Sequence, residues 1–124
     1  RVAACYAGET ADSYARGQRF QSAGADHVHG SSGIGAALAG VDAALAAGDA
    51  DALRRAERRL RLLQAAMLAG TGLPTLYMGD EIALGNDEGY RDDPARAAEG
   101  RWLQRPAMDW ALAEAVAGDD AAVG

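Results

Sequence analysis

At 124 residues, 49% of them hydrophobic, the chain is long enough for one modest domain with a core and too apolar for a disordered tail. A formal net charge of −6 argues against a nucleic-acid or anionic-membrane partner, since either needs a basic face to displace counterions. Cys5 is the single cysteine, which excludes an intrachain disulfide and a thiolate metal cluster. The apolar share leans on alanine, there are 16 glycines and aromatics reach only 6%, so part of the chain is expected to lean on protein outside it. All twelve basic residues are arginine, and five of them, Arg54, Arg55, Arg58, Arg59 and Arg61, fall in one short stretch. No signal peptide is read at Arg1, and no apolar run approaches the roughly 20 residues of a membrane span, so a cytoplasmic setting is the default expectation.

From Arg1 to Gly30 the chain has little periodicity, because Gly8, Gly17 and Gly24 interrupt each candidate element. An irregular excursion with one short helix is expected. Ser31 or Ser32 is a candidate cap for a short helix through Leu38, ended by Gly40, with a second alanine-rich turn to Gly48. Asp49 or Asp51 then caps the strongest predicted element, a helix stopped at Gly70. Leu53, Ala56, Leu60, Leu63 and Met67 recur every three or four residues, and Asp51 with Arg55 and Glu57 with Arg61 are spaced as helix pairs. Leu62, Ala66 and Ala69 widen the apolar face toward the end, so burial is expected to deepen along the helix.

After a turn at Gly70 to Gly72, Leu73, Leu76, Tyr77 and Met78 make a nearly unbroken apolar run with Pro74 at its start, the pattern of a buried parallel strand. A helix, a short turn and a buried strand form an αβ unit. Gly85 to Arg101 is expected to be a long acidic loop, and Ala107 to Ala117 a last short helix ended by Gly118.

Several patterns carry chemical readings. "HGSSGIGAAL" from His29 to Leu38 has the look of a dinucleotide turn, but Gly30 and Gly33 enclose only two residues and no apolar strand precedes them, so helix-start packing is preferred. His27 and His29 form an HxH pair that lacks a third ligand, so polar loop histidines are preferred over a metal site. The acids of "NDEGYRDD" fail the calcium-loop pattern, because Leu84 falls where a carboxylate is required. Asp80 and Glu81 are different in kind: they stand at the end of the predicted strand, where α/β folds build ligand sites. Being adjacent, they point different ways, one to a pocket and the other to a cap or an arginine. Arg101 beside Trp102 offers a guanidinium fork and an indole, which suit sugar hydroxyls and a sugar's apolar face, with a structural ion pair as the competing reading.

"GLPTLYMGDE" (Gly72 to Glu81) resembles the stretch ending the eighth barrel strand in the α-amylase superfamily, glycoside hydrolase family 13. "GNDEGYRDDPARAAEGRWLQRP" resembles the loop after that strand in amylosucrases, and "SYARGQRFQ" (Ser13 to Gln21) resembles a segment of the subdomain those enzymes insert after strand seven. The three occur in family order. The resemblance implies an α/β fold: the C-terminal portion of a (β/α)8 barrel, with helix seven, strand eight and the following loop, plus part of the inserted subdomain. Residues 1–32 would be the tail of that subdomain and 33–124 the C-terminal part of the catalytic barrel. Such a barrel needs about 250 residues, more than this chain supplies.

The activity implied is retaining cleavage of sucrose, in which a carboxylate takes the glucosyl unit and passes it to an α-glucan or to water. The family's three catalytic carboxylates lie upstream of the segment matching Arg1, so no catalytic residue is assigned here and the chain alone is expected to be inactive. Arg101 matches a family arginine that closes the pocket behind the glucosyl ring, and is assigned as substrate-binding. Asp80, Glu81, Asn86, Asp87, Trp102 and Gly30 are candidate pocket-rim residues. Gly30 stands where the family usually carries an acceptor-side arginine, which raises plain sucrose hydrolysis as the alternative, or another α-glucosidase activity of the superfamily. A non-catalytic acidic helical interaction module is the alternative of another class. The implied partners are sucrose, the acceptor and the remainder of the barrel, with no cofactor and no metal.

Overall fold

The computed structural model of the chain describes residues 1–22 and 28–121. Among them run α1 (Val2–Tyr6), β1 (Gln18–Ser22), β2 (Val28–Ser32), α2 (Gly35–Ala39), α3 (Val41–Ala47), α4 (Ala50–Ala69) and α5 (Trp110–Ala121). Three 3-10 turns at Asp80–Ile82, Glu88–Asp92 and Gly100–Gln104 punctuate the stretch before α5. The described residues thus form a small mixed, mainly helical fold with one two-stranded sheet, and they are not a complete barrel. No helix among them is long and apolar enough to cross a membrane.

The centre is built from small side chains. Ala36, Ala39, Val41, Ala56 and Leu60 form the buried cluster where α2, α3 and α4 meet, with Leu53 and Ala83 packed on it. Alanine lets helix backbones approach closely, but each such contact removes little area from water, so this core is thin for its length. Gly40 takes the left-handed conformation (φ 101°) that ends α2, and it turns the chain directly into α3. Asp49 caps α4 by accepting a hydrogen bond from the Ala52 amide at 2.9 Å. Along α4 the exposed ion pairs are Asp51 with Arg54 and Glu57 with Arg61, so Asp51 takes the arginine three residues on and not Arg55.

β1 and β2 form an antiparallel hairpin with Gln18 opposite Ser32, Arg19 opposite Ser31 and Phe20 opposite Gly30. The pattern QRFQS is polar and short, which is why the first thirty residues read as irregular. The hairpin is pinned at its base by Gly17, where a side chain would stand 2.6 Å from the Tyr6 carbonyl and 2.7 Å from that of Ser32. Ser31 and Ser32 belong to β2 and cap no helix; α2 begins after Ile34 with no side-chain cap, and the Ile34 amide instead donates to Asn86 Oδ1 at 3.0 Å.

Three further expectations are corrected. Residues 73–78 pair with no strand, and their apolar side chains face solvent: Leu73 is 92% exposed, and Leu76, Tyr77 and Met78 are about half exposed. A lone extended stretch gains no ladder hydrogen bonds and no covering layer, so within this chain the αβ unit stops at its helix. Burial along α4 also runs opposite to expectation. Ala56 and Leu60, which pack with α2 and α3, are buried, whereas Leu62, Leu63 and Leu68 beyond them are more than half exposed. Finally, α5 starts at Trp110, with Asp109 accepting from the Leu112 amide at 2.9 Å, and passes through Gly118 without stopping.

Candidate functional site

The hairpin and the segment after Gly79 are stitched together by side chains from the acidic stretch. Asn86 sits at the centre: its amide nitrogen donates to the Arg16 carbonyl, its Oδ1 accepts from Ile34, and its backbone amide donates to Asp42 Oδ2 at 3.2 Å. Asp87 contributes its backbone amide to the Leu103 carbonyl at 2.9 Å, and Leu103 is fully buried. Gln18 joins three parts. Its Nε2 donates to the Gly100 carbonyl at 2.7 Å, while its Oε1 accepts from the Tyr90 hydroxyl at 3.0 Å and from Arg91 at 3.1 Å.

Arg101 lies on the surface. Its guanidinium donates to Glu99 Oε2 at 2.6 Å, and the Glu99 carboxylate also accepts from the Arg101 backbone amide at 3.2 Å. The two hydrogen bonds from Arg101 hold the Glu99 carboxyl down at about 2, and the one from the guanidinium pushes the Arg101 side chain further up. Beside it, Trp102 is engaged by two other cations, with Arg96 4.7 Å and Arg105 5.5 Å from its ring centre. Gly30, in β2, has open space where a side chain would project. His27 lies outside the described residues, as does the side chain of His29, and no metal-binding cluster of His, Cys, Asp or Glu occurs among the described residues.

Asp80 and Glu81 open a 3-10 turn and do not end a strand. They point to different partners: Glu81 Oε2 accepts from the Gly79 amide at 2.9 Å, and Asp80 Oδ2 accepts from the Tyr77 amide at 3.3 Å. The other Asp80 oxygen, Oδ1, is shut off from solvent with no hydrogen-bond partner among the described residues. Asp80 as a residue is one wall of a cavity of about 200 Å3 whose other walls are Gly33, Ile34, Gly35, Tyr77 and Gln104. Desolvation raises the Asp80 carboxyl above its ordinary range, and the neighbouring Glu81 charge adds to the rise, with the Tyr77 amide opposing.

No hydrogen bond or ion pair among the described residues joins Arg101 to Asp80, Glu81, Asn86 or Asp87. The residues singled out by sequence therefore lie apart: Arg101 and Trp102 together on one 3-10 turn, Asp80 and Glu81 on another with Asp80 at a cavity wall, Asn86 and Asp87 in the ties to the rest of the chain, and Gly30 in β2. Gln104, Gly33 and Gly35 line that cavity without having been singled out as a ligand site. Nothing in their residue types marks them, because their role comes from a contact across about seventy positions of sequence. A search of the chain against protein-family models finds no match.

Proposed function

We propose that the chain is part of a retaining, sucrose-cleaving glucosyltransferase of the amylosucrase kind, the C-terminal portion of a (β/α)8 barrel. The observation that carries this reading is the order of three resembling stretches, "SYARGQRFQ", "GLPTLYMGDE" and "GNDEGYRDDPARAAEGRWLQRP". Two structural features support it. The apolar run at 73–78 is exposed and unpaired here, as a barrel strand is when its neighbours are elsewhere. Leu62, Leu63 and Leu68 on α4 and Trp110, Leu112 and Val116 on α5 likewise face solvent, and burying each large side chain stabilises by about 1.5–3 kcal/mol. On this reading the missing layers of the barrel cover these faces.

In such an enzyme, residues outside this chain perform the bond making, and Arg101 positions the glucosyl unit by closing the pocket floor. For that it exchanges Glu99 for another carboxylate or for the sugar. Gly30 supports hydrolysis as the second outcome: it carries no side chain where the resemblance expects an acceptor-side arginine. The deciding experiment incubates the gene product that contains this chain with sucrose. Fructose release with growth of an α-glucan supports transfer, and equal glucose and fructose support hydrolysis. A product inert on sucrose removes both and leaves another α-glucosidase activity of the superfamily or the acidic interaction module.

A further inference from the structure

The 3-10 turn Gly100–Gln104 is fixed on both sides of Arg101 and leaves Arg101 itself at the surface. Before it, the Gly100 carbonyl accepts from Gln18 Nε2 at 2.7 Å. After it, Leu103 is fully buried, and its carbonyl accepts from the Asp87 amide at 2.9 Å. The buried Ser32 hydroxyl lies 3.3 Å from Gln104 Oε1 and 3.5 Å from the Gly100 carbonyl, so its single proton serves both ends of the turn. Gln18 and Ser32 are a cross-strand pair of the hairpin. The hairpin therefore grips the turn through two opposed side chains, while the half-exposed Arg101 guanidinium is tied, among the described residues, to Glu99 alone.

The chemistry at position 18 is specific. One end of the side chain donates, to Gly100, and the other accepts, from the Tyr90 hydroxyl at 3.0 Å and from Arg91 at 3.1 Å. A carboxamide offers both on one planar group, whereas a carboxylate only accepts and a thioether is a weak acceptor. Tyr90 is buried, so the accepting end is held in place and the donating end is aimed at the turn. Room for the contact comes from glycine: a methyl group added at Gly100 would stand 2.5 Å from Gln18 Nε2. We propose that Gln18 is a positioning residue for Arg101. Through the Gly100 carbonyl it sets where the Arg101 backbone sits, so that the guanidinium leaves Glu99 for the pocket floor from a fixed base. The proposal rests on the reading of Arg101 as the residue that closes the pocket behind the glucosyl unit. Gln18, eighty-two positions before Gly100, acts on that step without touching substrate.

The test measures sucrose turnover by the gene product that contains this chain. Gln18→Met and Gln18→Glu are each made in the parent and in an Arg101→Ala background, the latter assayed at raised enzyme concentration. In the parent, Gln18→Met should lower kcat/KM roughly tenfold, as loss of one hydrogen bond does. Gln18→Glu keeps the acceptor for Tyr90 and Arg91 but sets a carboxylate against the Gly100 carbonyl, so it should lower kcat/KM at least as far. With Arg101 already removed, neither change should lower it further, because the residue being positioned is gone. A purely structural role does not produce that pattern, since general loss of order lowers turnover in both backgrounds alike. Equal losses in both backgrounds overturn the proposal, and so do parent kinetics unchanged by Gln18→Met. Should Gln18→Met fail to fold, Gly100→Ala decides in its place, since it displaces the Gln18 amide and removes no hydrogen-bonding side chain. A parent inert on sucrose is a different failure, which removes the sucrose reading and the positioning role together; an active parent with equal losses removes the positioning role alone.

Discussion

At the scale of single residues, two carboxylates respond to pH in opposite directions. Asp80 holds its proton more tightly in the folded chain than in the unfolded one, so ionising it opposes folding. That cost is absent in acid, below the ordinary carboxylate range, and grows as pH rises through the raised folded value. Asp80→Asn should therefore raise the melting temperature at neutral pH and lose the advantage in acid; circular-dichroism melts that show it lower at neutral pH would contradict the burial argument. Glu99 runs the other way. Its folded value is depressed to about 2 from an ordinary 4.5, so its contribution is present above 4.5 and lost as pH falls toward 2. Glu99→Gln should flatten that acid limb, and salt should do the same to the parent, since both partners are solvent-exposed. Arg101→Ala, made in the enzyme we propose, should cut sucrose turnover and leave the far-ultraviolet spectrum unchanged. Unchanged kinetics would strip Arg101 of its pocket role.

At the scale of elements, what was legible in the sequence was what local chemistry decides. The Asp49 cap that starts α4 and the left-handed glycines ending α2 and α3 follow from capping and from glycine alone, and they hold within the chain; α4 also stops at Gly70, which is extended there. The β1–β2 hairpin was not legible, because polar strands paired only with each other carry no alternation to read. The helix Trp110–Ala121 was placed three residues early and ended at Gly118, although a glycine in a helix costs only about 1 kcal/mol and does not oblige a stop. The far half of α4 was expected to be buried because it is apolar, but apolarity states a need for cover and not its source. Leu68 tests that need. In this chain Leu68→Gln should change stability by no more than about 0.5 kcal/mol, as at other exposed positions. In the gene product carrying the rest of a barrel the same change should cost about 2–5 kcal/mol, as loss of a buried leucine does. Equal small effects in both settings would mean that nothing covers α4.

For the molecule as a whole, the hydrogen bonds that cross the chain explain why the acidic stretch is ordered without regular structure. Asn86, Gln18, Ser32 and Gln104 tie it to the hairpin and its base, and among the described residues Leu103 is the one large side chain wholly buried. None of these ties has a sequence signature, since each joins positions some fifty to eighty residues apart whose spacing carries no period. The run at 73–78 is the reverse case: its pattern is plain and its partner is not in the chain. Its own amides show what is at stake, for among the described residues only Tyr77 finds an acceptor, in Asp80. Hydrogen exchange over residues 73–78 is the most direct measurement of the account, made on this chain and on the gene product that contains it. A barrel strand predicts fast exchange in the chain alone and strong protection in the longer product, whereas fast exchange in both would contradict the placement and the sugar-processing reading built on it.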